Sequence, residues 1–300
     1  MKAFLYLLFC LFLLQFTAFG QTEFKLFYLG GQSNMDGFGY VKDLPDSLNT
    51  TFGNVWIFHG NSAPDEAETG GLGMWDKLKP GHGTGFSSDG KTNKLSNRFG
   101  IELSFAKKLQ RLYPNQKIAI IKYSRGGTSI DTLGSPRSGT WDADYIGSNG
   151  LNQYDHFLTT MKHALKTSDI DGDGKPDTLI PSGILWMQGE SDAGSEEIAL
   201  KYYGHLKRLM DLIRAAMLTD DLPVVIGKIS DSWNDADGKV WDYCELVQYA
   251  QEKYIRTDKN AAIIRDTRYY KYSDKWHYDS PGYIDFGEKF AEKIAELGKR

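Results

Sequence analysis

Short apolar runs alternate along the chain with longer segments in which apolar residues recur every three or four positions. The short runs predict buried strands, and the longer segments predict amphipathic helices. The predicted strands are FKLFYLG (24–30), NVWIFHG (54–60), KIAIIKYS (117–124), SGILWMQ (182–188), LPVVIGKIS (222–230) and AAIIRDT (261–267).

The same pattern predicts helices at 96–114, 153–167, 195–217, 240–256 and 281–297. Ser96 is the expected N-cap of the first helix, and Ser280 with Pro281 is expected to begin the last one. Strands that alternate with helices predict a parallel sheet covered on both faces. No repeat or linker interrupts the alternation, so we expect one α/β domain from about residue 21 to residue 300.

The first twenty residues form a different kind of segment. Lys2 precedes the apolar run AFLYLLFCLFLLQFTAF, which ends near Ala18-Phe19-Gly20. This arrangement is typical of a secretory signal peptide, with an uncleaved anchor as the alternative. We therefore expect a signal peptide at 1–20 and a mature protein, 21–300, that is secreted or periplasmic. Without the leader only Cys244 remains, so no internal disulfide is expected.

Composition and charge exclude several classes of function. The chain has 300 residues, of which 41% are hydrophobic and 25% charged, as in a globular protein. Its net charge is −4 and it has no long run of Lys or Arg, so we expect no nucleic-acid partner. No segment after the leader is apolar enough to span a membrane. Nothing in the sequence predicts the oligomeric state.

Candidate catalytic residues follow the predicted strands. In an open parallel sheet, ligands bind beyond the carboxyl ends of the strands. A hydroxyl, a histidine, carboxylates, an amide and a glycine pair are all expected at this edge, and these are the groups needed for acyl transfer through a serine. The residues concerned are Ser33, Asn34, Arg125, Gly126, Gly127, Thr128, Gln188, Gly189, Glu190, Asp192, Asp231, Asp266, Asp274 and His277.

Each of these groups has a definite chemical task. Ser33 would attack a carbonyl carbon, and His277 would accept its proton because imidazole titrates near neutral pH. The backbone amides of Ser33 and Gly127 and the side chain of Gln188 would stabilise the oxyanion. Asp231 is expected to be a loop or cap residue. The remaining histidines are expected at the surface or in loops: His59, His82, His156, His163 and His205.

Four sequence blocks carry a resemblance to a known superfamily. GQSNM, SRGGTSI, WMQGESD and DKWH, the last followed by GYIDFGEKFA, resemble the blocks of the SGNH hydrolases. They are most similar to the branch of sialate O-acetylesterases and family 6 carbohydrate esterases, the acetylxylan esterases. The resemblance spans about 27–292. It implies a three-layer α/β/α sandwich with a central parallel sheet, of the SGNH or flavodoxin-like kind, that removes O-acetyl groups from carbohydrates without a metal or organic cofactor in catalysis.

The resemblance also implies roles for individual residues. Ser33 matches the nucleophile and His277 the base, while Gly127 or Gly126 and Gln188 match the oxyanion positions together with Ser33. Asp274, three residues before the histidine, matches the triad acid. Glu190 is the alternative acid, because the resemblance includes relatives that use that glutamate.

Other interpretations stay open at this stage. The substrate could be acetylated xylan, another acetylated polysaccharide or an O-acetylated sialic acid. The same fold could also serve a broader acyl-ester hydrolase, or an inactive carbohydrate-binding or adhesion protein. Four tryptophans are candidate sugar platforms and are equally consistent with core positions: Trp75, Trp141, Trp233 and Trp276.

A separate motif, DIDGDGKPD (169–177), matches the opening of a calcium loop. Asp169, Asp171, Asp173, the carbonyl of Lys175 and Asp177 are its candidate ligands. The twelfth position is Ile180 instead of Glu, so the motif is not a complete EF-hand. The expectation is a structural calcium ion, and the alternative is an acidic surface turn.

Overall fold

The apolar runs predicted as strands lie side by side at the centre of the molecule. The computed structural model describes residues 21–299. The strands are β1 (Thr22–Gly31), β2 (Gly39–Tyr40), β3 (Val55–His59), β4 (Trp75–Lys77), β5 (Ser87–Ser88), β6 (Asn93–Lys94), β7 (Arg98–Phe99), β8 (Lys117–Ser124), β9 (Asp177–Met187), β10 (Val224–Gly227) and β11 (Ala261–Ile264).

Six α-helices accompany these strands in the described part of the chain. They are α1 (Ser33–Asp36), α2 (Glu102–Leu112), α3 (Gln153–Lys166), α4 (Glu196–Ala216), α5 (Cys244–Thr257) and α6 (Ser280–Leu297). Short 3-10 helices occur at Val41–Asp43, Ser191–Gly194 and Asp266–Tyr269.

Seven strands form the main sheet in the order β11-β10-β9-β1-β8-β3-β4. All neighbouring pairs are parallel except β3 with β4, which closes one edge as a short antiparallel strand. Strands β2 with β7 and β5 with β6 form two small antiparallel pairs outside the main sheet. The carboxyl ends of β1, β8, β9, β10 and β11 therefore meet at one edge, as the alternation of elements predicted.

Helices cover both faces of the sheet. Phe27 and Tyr28 are consecutive in β1 and point to opposite faces, because side chains alternate along a strand. Phe27 packs edge-on against Phe105 of α2, whereas Tyr28 packs against Phe157 of α3. All four side chains are buried, and full burial of such a side chain stabilises the fold by about 1.5–3 kcal/mol. This arrangement confirms the predicted three-layer α/β/α sandwich and single domain.

Two helix starts differ from their predictions. Helix α2 begins at Glu102 and not near Ser96, whose hydroxyl instead accepts a hydrogen bond from the backbone amide of Arg98. The N-cap of α6 is Asp279, whose carboxylate accepts a hydrogen bond from the Gly282 amide at 2.9 Å. Ser280 is therefore the first residue inside the helix, which begins one residue earlier than the predicted 281.

The prediction of surface or loop positions is wrong for His59 in β3 and His156 in α3, and His82 lies in a loop as expected but is buried. His59, His82 and His156 are at most 1% exposed. The Nδ1 atoms of His59 and His82 lie 3.3 Å apart, and burial lowers the pKa of both imidazoles, that of His82 to about 3. His163 and His205 are half-buried.

A buried ion pair lies behind the end of β1. The ammonium of Lys122 in β8 is 3.0 Å from the carboxylate of Glu102, and both side chains are fully buried. The same ammonium donates hydrogen bonds to the carbonyl oxygens of Asp36, at the end of α1, and of His82. Lys122 thus links the helix that follows β1 to two other segments of the chain.

The predicted leader at 1–20 lies outside the described residues. Within residues 21–299, none of the helices has the length and hydropathy needed to span a membrane. Cys244, at the start of α5, is a buried free thiol.

Candidate active site

Ser33 is the first residue of α1 and directly follows β1. The chain turns sharply there because Gly31 has φ 143°, and a Cβ at this glycine would lie 1.9 Å from the carbonyl oxygen of Met187. The Gln32 amide donates a hydrogen bond to that same carbonyl at 2.9 Å. Amides in the first turn of a helix have no partner within the helix. The turn therefore places Ser33 at the carboxyl edge of the sheet, where it lines a cleft.

His277 lies in the loop before α6, paired with Asp274. Its Nδ1 is 2.8 Å from the Asp274 carboxylate, whose other oxygen accepts hydrogen bonds from the backbone amides of Trp276 and His277. Partial burial alone would raise the pKa of Asp274, but these hydrogen bonds outweigh it and lower the pKa. Burial lowers the pKa of His277, and the carboxylate opposes this effect. Burial therefore favours the neutral imidazole, the form that can accept a proton.

An aromatic ring covers one face of the imidazole. The rings of Phe38 and His277 are stacked, with centroids 3.4 Å apart and an interplanar angle of 4°. The carbonyl oxygen of Phe38 accepts a hydrogen bond from the Arg98 guanidinium, which holds the segment after α1 in place. Sequence reasoning did not identify Phe38, because nothing in its neighbourhood in the chain points to a histidine far away in sequence.

These residues share one cleft of about 400 Å³ at the carboxyl edge of the sheet. Gly126 follows β8, and a Cβ at this position would lie 3.3 Å from the Cβ of Ser33. Gly127 has φ 73°, a conformation that favours glycine. The residues lining the cleft are Gln32, Ser33, Phe38, Gly126, Gly127, Glu190, Ser191, Trp241, Trp276 and His277.

Gln188 occupies a different place from the one expected. It is fully buried and is not among the residues that line the cleft. Its amide nitrogen donates hydrogen bonds to the side chains of Gln32 and Asp192 and to the carbonyl of Thr128. The amide therefore has no free N–H directed at Ser33, and an oxyanion role for Gln188 does not fit this geometry. In this position Gln188 joins the ends of β1, β8 and β9.

Asn34 connects the segments around the cleft. Its side-chain nitrogen donates hydrogen bonds to Glu190 at 2.8 Å and to the carbonyl of Trp276 at 3.2 Å. Its side-chain oxygen accepts a hydrogen bond from the Tyr283 hydroxyl at 2.8 Å. The sequence placed Asn34 at this edge without assigning it a task. Its position beside the candidate nucleophile Ser33, within the block GQSNM, was the available signal.

Glu190 is buried and bound to Asn34, whereas Asp274 contacts the imidazole. The second oxygen of Glu190 has no hydrogen-bond partner among the described residues. Burial raises the pKa of Glu190 to about 7, and the hydrogen bond from Asn34 opposes the shift. Of the two candidate acids, Asp274 is thus the one placed within hydrogen-bond distance of His277.

Comparison with known proteins gives one family match. The family model for carbohydrate esterase, sialic acid-specific acetylesterase, matches residues 23–296. The chain belongs to this family. It is therefore a carbohydrate esterase, an enzyme that hydrolyses carboxylic esters, as its sequence blocks indicated. A comparison with curated proteins found no match.

Several solved structures share the α/β/α fold of this esterase. A protein of Arabidopsis thaliana is 19% identical with a TM-score of 0.63, and the match covers 92% of the esterase and 99% of that chain. A carbohydrate acetylesterase of Xanthomonas citri is 17% identical with a TM-score of 0.59, covering 91% and 56% respectively. NanS is 15% identical with a TM-score of 0.59, covering 93% and 99%.

The four candidate sugar-platform tryptophans fall into two groups in the esterase. Trp141 is fully buried and packs against Trp186, so it belongs to the core. Trp75 lies in the edge strand β4, and its indole N–H donates a hydrogen bond to the Ala164 carbonyl, away from the cleft. Trp276 lines the cleft, and Trp233 is 62% exposed. The sequence analysis did not include Trp241, which also lines the cleft.

The acidic loop of the esterase folds as a compact turn before β9. Carboxylate oxygens of Asp169, Asp171 and Asp177 lie within 4.8 Å of one another, and Asp173 is outside this group. Asp169 accepts hydrogen bonds from the backbone amides of Gly172, Asp173 and Gly174, and Asp171 pairs with Lys117. Three carboxylates at this separation fit a calcium ion. The structure therefore brings three of the five predicted ligands together, and the calcium site stays a prediction.

Proposed function

We propose that this esterase removes O-acetyl groups from carbohydrates by a serine mechanism. Ser33 is the nucleophile, His277 the general base and Asp274 the orienting carboxylate. The observation that carries the proposal is the 2.8 Å contact between His277 Nδ1 and Asp274 beside a cleft that also contains Ser33. With Nδ1 directed to the carboxylate, Nε2 remains available to accept the Ser33 proton.

The first half of the reaction forms an acetyl-enzyme. His277 Nε2 takes the proton of Ser33 while the hydroxyl oxygen attacks the acetyl carbonyl carbon. The oxyanion of the tetrahedral intermediate accepts hydrogen bonds from the amides of Ser33 and Gly127, with Gly126 allowing the close approach. The bond between the carbonyl carbon and the sugar oxygen then breaks. His277 returns its proton to that oxygen, so the sugar leaves as an alcohol.

The second half releases acetate. Water attacks the acetyl carbon as His277 takes one of its protons, and the bond to Ser33 breaks as the proton returns to the serine oxygen. Each cycle consumes one water molecule and returns Ser33 and His277 to their starting protonation states. Asp274 stays ionised throughout and stabilises the imidazolium that forms twice in the cycle.

Export is part of the proposal. The basic and apolar character of residues 1–20 is what supports it, because such a segment directs secretion and is then removed. The active form is then the chain from about residue 21 onwards, acting on acetylated glycans outside the cytoplasm.

Acetate release by the mature protein, compared with the Ser33→Ala variant, tests the mechanism. Suitable substrates are acetylated xylan, an O-acetylated sialic acid and a small aryl acetate. Loss of release in the variant, together with loss of covalent labelling by a serine-directed organophosphorus reagent, supports the proposal. A folded wild-type protein that neither releases acetate nor becomes labelled would instead be a binding protein on the same fold. Hydrolysis of the aryl acetate alone would favour the broader acyl-ester hydrolase.

A further inference from the structure

Arg98 of β7 contacts the residue whose ring covers the imidazole of His277. Its guanidinium donates a hydrogen bond to the Phe38 carbonyl, and the guanidinium carbon lies 6.0 Å from the centroid of the Phe38 ring. The Phe38 ring in turn stacks on His277. Arg98 is not among the residues that line the cleft. Any effect of Arg98 on the reaction therefore passes through Phe38 or through its positive charge.

The backbone on both sides of Phe38 is held by other parts of the chain. The Gly37 carbonyl accepts a backbone hydrogen bond at 2.8 Å. Strand β2 pairs with β7 so that Tyr40 lies opposite Arg98, and the Tyr40 amide donates a hydrogen bond to the Ser280 hydroxyl at 3.0 Å. The hydrogen bond from Arg98 falls between these two anchors, on the residue that meets the imidazole.

The Arg98 guanidinium has a fixed position of its own. Its carbon lies 3.5 Å from the centroid of the Tyr40 ring, a cation–π contact. A planar guanidinium stacks on a ring and donates hydrogen bonds from its edge at the same time, whereas an ammonium is a point charge without this geometry. The contact with Tyr40 therefore orients the group that binds Phe38.

Charged groups from two elements act on His277 in opposite directions. Burial is the largest influence on the pKa of His277 and lowers it. Asp274, on the same loop, raises this pKa, whereas the positive charge of Arg98 lowers it further. Two carboxyl groups on neighbouring elements, Glu190 and Asp43, each accept a hydrogen bond from another residue. Removal of the Arg98 charge should therefore raise the pKa of His277.

We propose that Arg98 is a positioning residue for His277, which it holds through the ring of Phe38. The inference rests on the proposed function, in which His277 is the general base. The guanidinium fixes the Phe38 backbone, and the Phe38 ring limits rotation of the imidazole away from Ser33. Because Arg98 does not line the cleft, its loss should lower kcat for a small ester and leave KM nearly unchanged.

Kinetics of Arg98 variants on an aryl acetate test this role. Arg98→Met removes the hydrogen bond and the charge, whereas Arg98→Lys keeps the charge without the planar donor group. The control is Arg256→Met, which removes a guanidinium 5.5 Å from the Tyr249 ring on α5, outside the cleft. We expect kcat to fall about tenfold in Arg98→Met, somewhat less in Arg98→Lys and not at all in the control.

The pH profile separates the charge of Arg98 from its geometry. The acidic midpoint of kcat/KM should move up in Arg98→Met, and less in Arg98→Lys because lysine keeps a positive charge. An NMR titration of the His277 imidazole in a Ser33→Ala background should show the same order without turnover. A role in folding alone would lower the amount of active enzyme and leave both midpoints where they are in the wild type.

A double variant shows whether Arg98 acts through Phe38. We expect Phe38→Leu with Arg98→Met to have the kcat of Phe38→Leu alone, because the ring that transmits the effect is already lost. If Arg98→Met does not fold, Arg98→Lys takes its place in the same comparison. Additive losses of kcat, or an unchanged kcat and midpoint in the single variants, would overturn the positioning role alone. A folded wild type that hydrolyses no ester would overturn the proposed function, and this role with it.

Discussion

Phe38 and His277 form a parallel stack with their ring centroids 3.4 Å apart. Phe38 comes from the segment directly after α1, so the part of the chain that carries Ser33 also covers the imidazole. The stack restricts rotation of the imidazole ring while Asp274 holds Nδ1. It also excludes water from one face of the ring, in keeping with the lowered pKa of His277 that burial causes.

Replacing Phe38 by Leu should therefore change both rate and pH dependence. We expect kcat on an aryl acetate to fall between about tenfold and a hundredfold, because a displaced imidazole no longer meets Ser33 correctly. The acidic midpoint of the kcat/KM profile should move up towards 6.5 as water reaches the ring. Phe38→Tyr keeps the ring and serves as the control. A Phe38→Leu profile that overlays the wild type would show that the stack has no such role.

The two candidate acids should respond differently to removal of their charge. Asp274→Asn is expected to lower kcat by about 10²–10⁴, because the imidazolium loses its ionic partner. The same change should shift the acidic midpoint of the profile downward, since the carboxylate raises the pKa of His277. Glu190→Gln should lose less than Asp274→Asn under the same conditions. If Glu190→Gln loses more activity while remaining folded, Asp274 is not the orienting acid.

Glu190 should make stability depend on pH. Its pKa is about 7 in the folded protein because of burial, against an ordinary value of 4.5. Between these two pH values the unfolded chain ionises this group while the folded protein does not, so the folded state loses stability as the pH rises. The loss amounts to about 3 kcal/mol, and Glu190→Gln removes it.

Urea unfolding at pH 4.5 and pH 7.5 measures this effect. At each pH, the unfolding free energy of the wild type is subtracted from that of Glu190→Gln. This difference should be about 3 kcal/mol larger at pH 7.5 than at pH 4.5. Other titrating groups are common to both proteins and cancel in the comparison. A difference that stays constant between the two pH values would mean that Glu190 ionises normally.

Removing only one partner of the buried pair of Lys122 and Glu102 should lower the unfolding free energy. Lys122→Met leaves the Glu102 carboxylate buried without its ammonium, and we expect a loss of about 3–5 kcal/mol in unfolding free energy. Adding Glu102→Gln should recover part of the loss, because the remaining buried charge is then removed. Denaturation of the two single variants and the double variant measures this coupling. Additive losses would indicate that the two side chains do not interact.

Calcium should stabilise the acidic loop if the carboxylates of Asp169, Asp171 and Asp177 bind it. We expect an excess of calcium to raise the melting temperature of the wild type and a chelator to reverse the rise. Asp177→Asn is the matched variant and should abolish the response, and magnesium is the control ion. An identical melting temperature with and without calcium would identify the segment as an acidic turn.

The sequence predicted the strands of the main sheet from their apolar periodicity, and the residues at the ends of those strands. The six strands and the position of Ser33 at the end of β1 follow from apolar runs and from the rule for parallel sheets, whereas the catalytic roles of Ser33 and His277 stay predictions. The orientation of Gln188 was not predictable, because it depends on Gln32, Thr128 and Asp192, which three separate segments bring together.

Burial of individual polar residues was equally difficult to predict. His59 and His82 were expected at the surface or in loops, but both are buried, and Phe86 stacks on His59. The structural role of Asp231 was not predictable, because its carboxylate accepts hydrogen bonds from the backbone amides of both Trp233 and Trp241. Such contacts join residues whose spacing follows no helical or strand period.

Asn34 has a consequence for how the active site opens. Its side chain holds Glu190, the carbonyl of Trp276 and the hydroxyl of Tyr283 at once, so the loop after β9, the histidine loop and the start of α6 are joined through one amide. Each of these segments must break a hydrogen bond to Asn34 before it detaches. Their backbone amides should therefore exchange with deuterium as one cooperative unit, with a single opening free energy, instead of as three independently fraying loops.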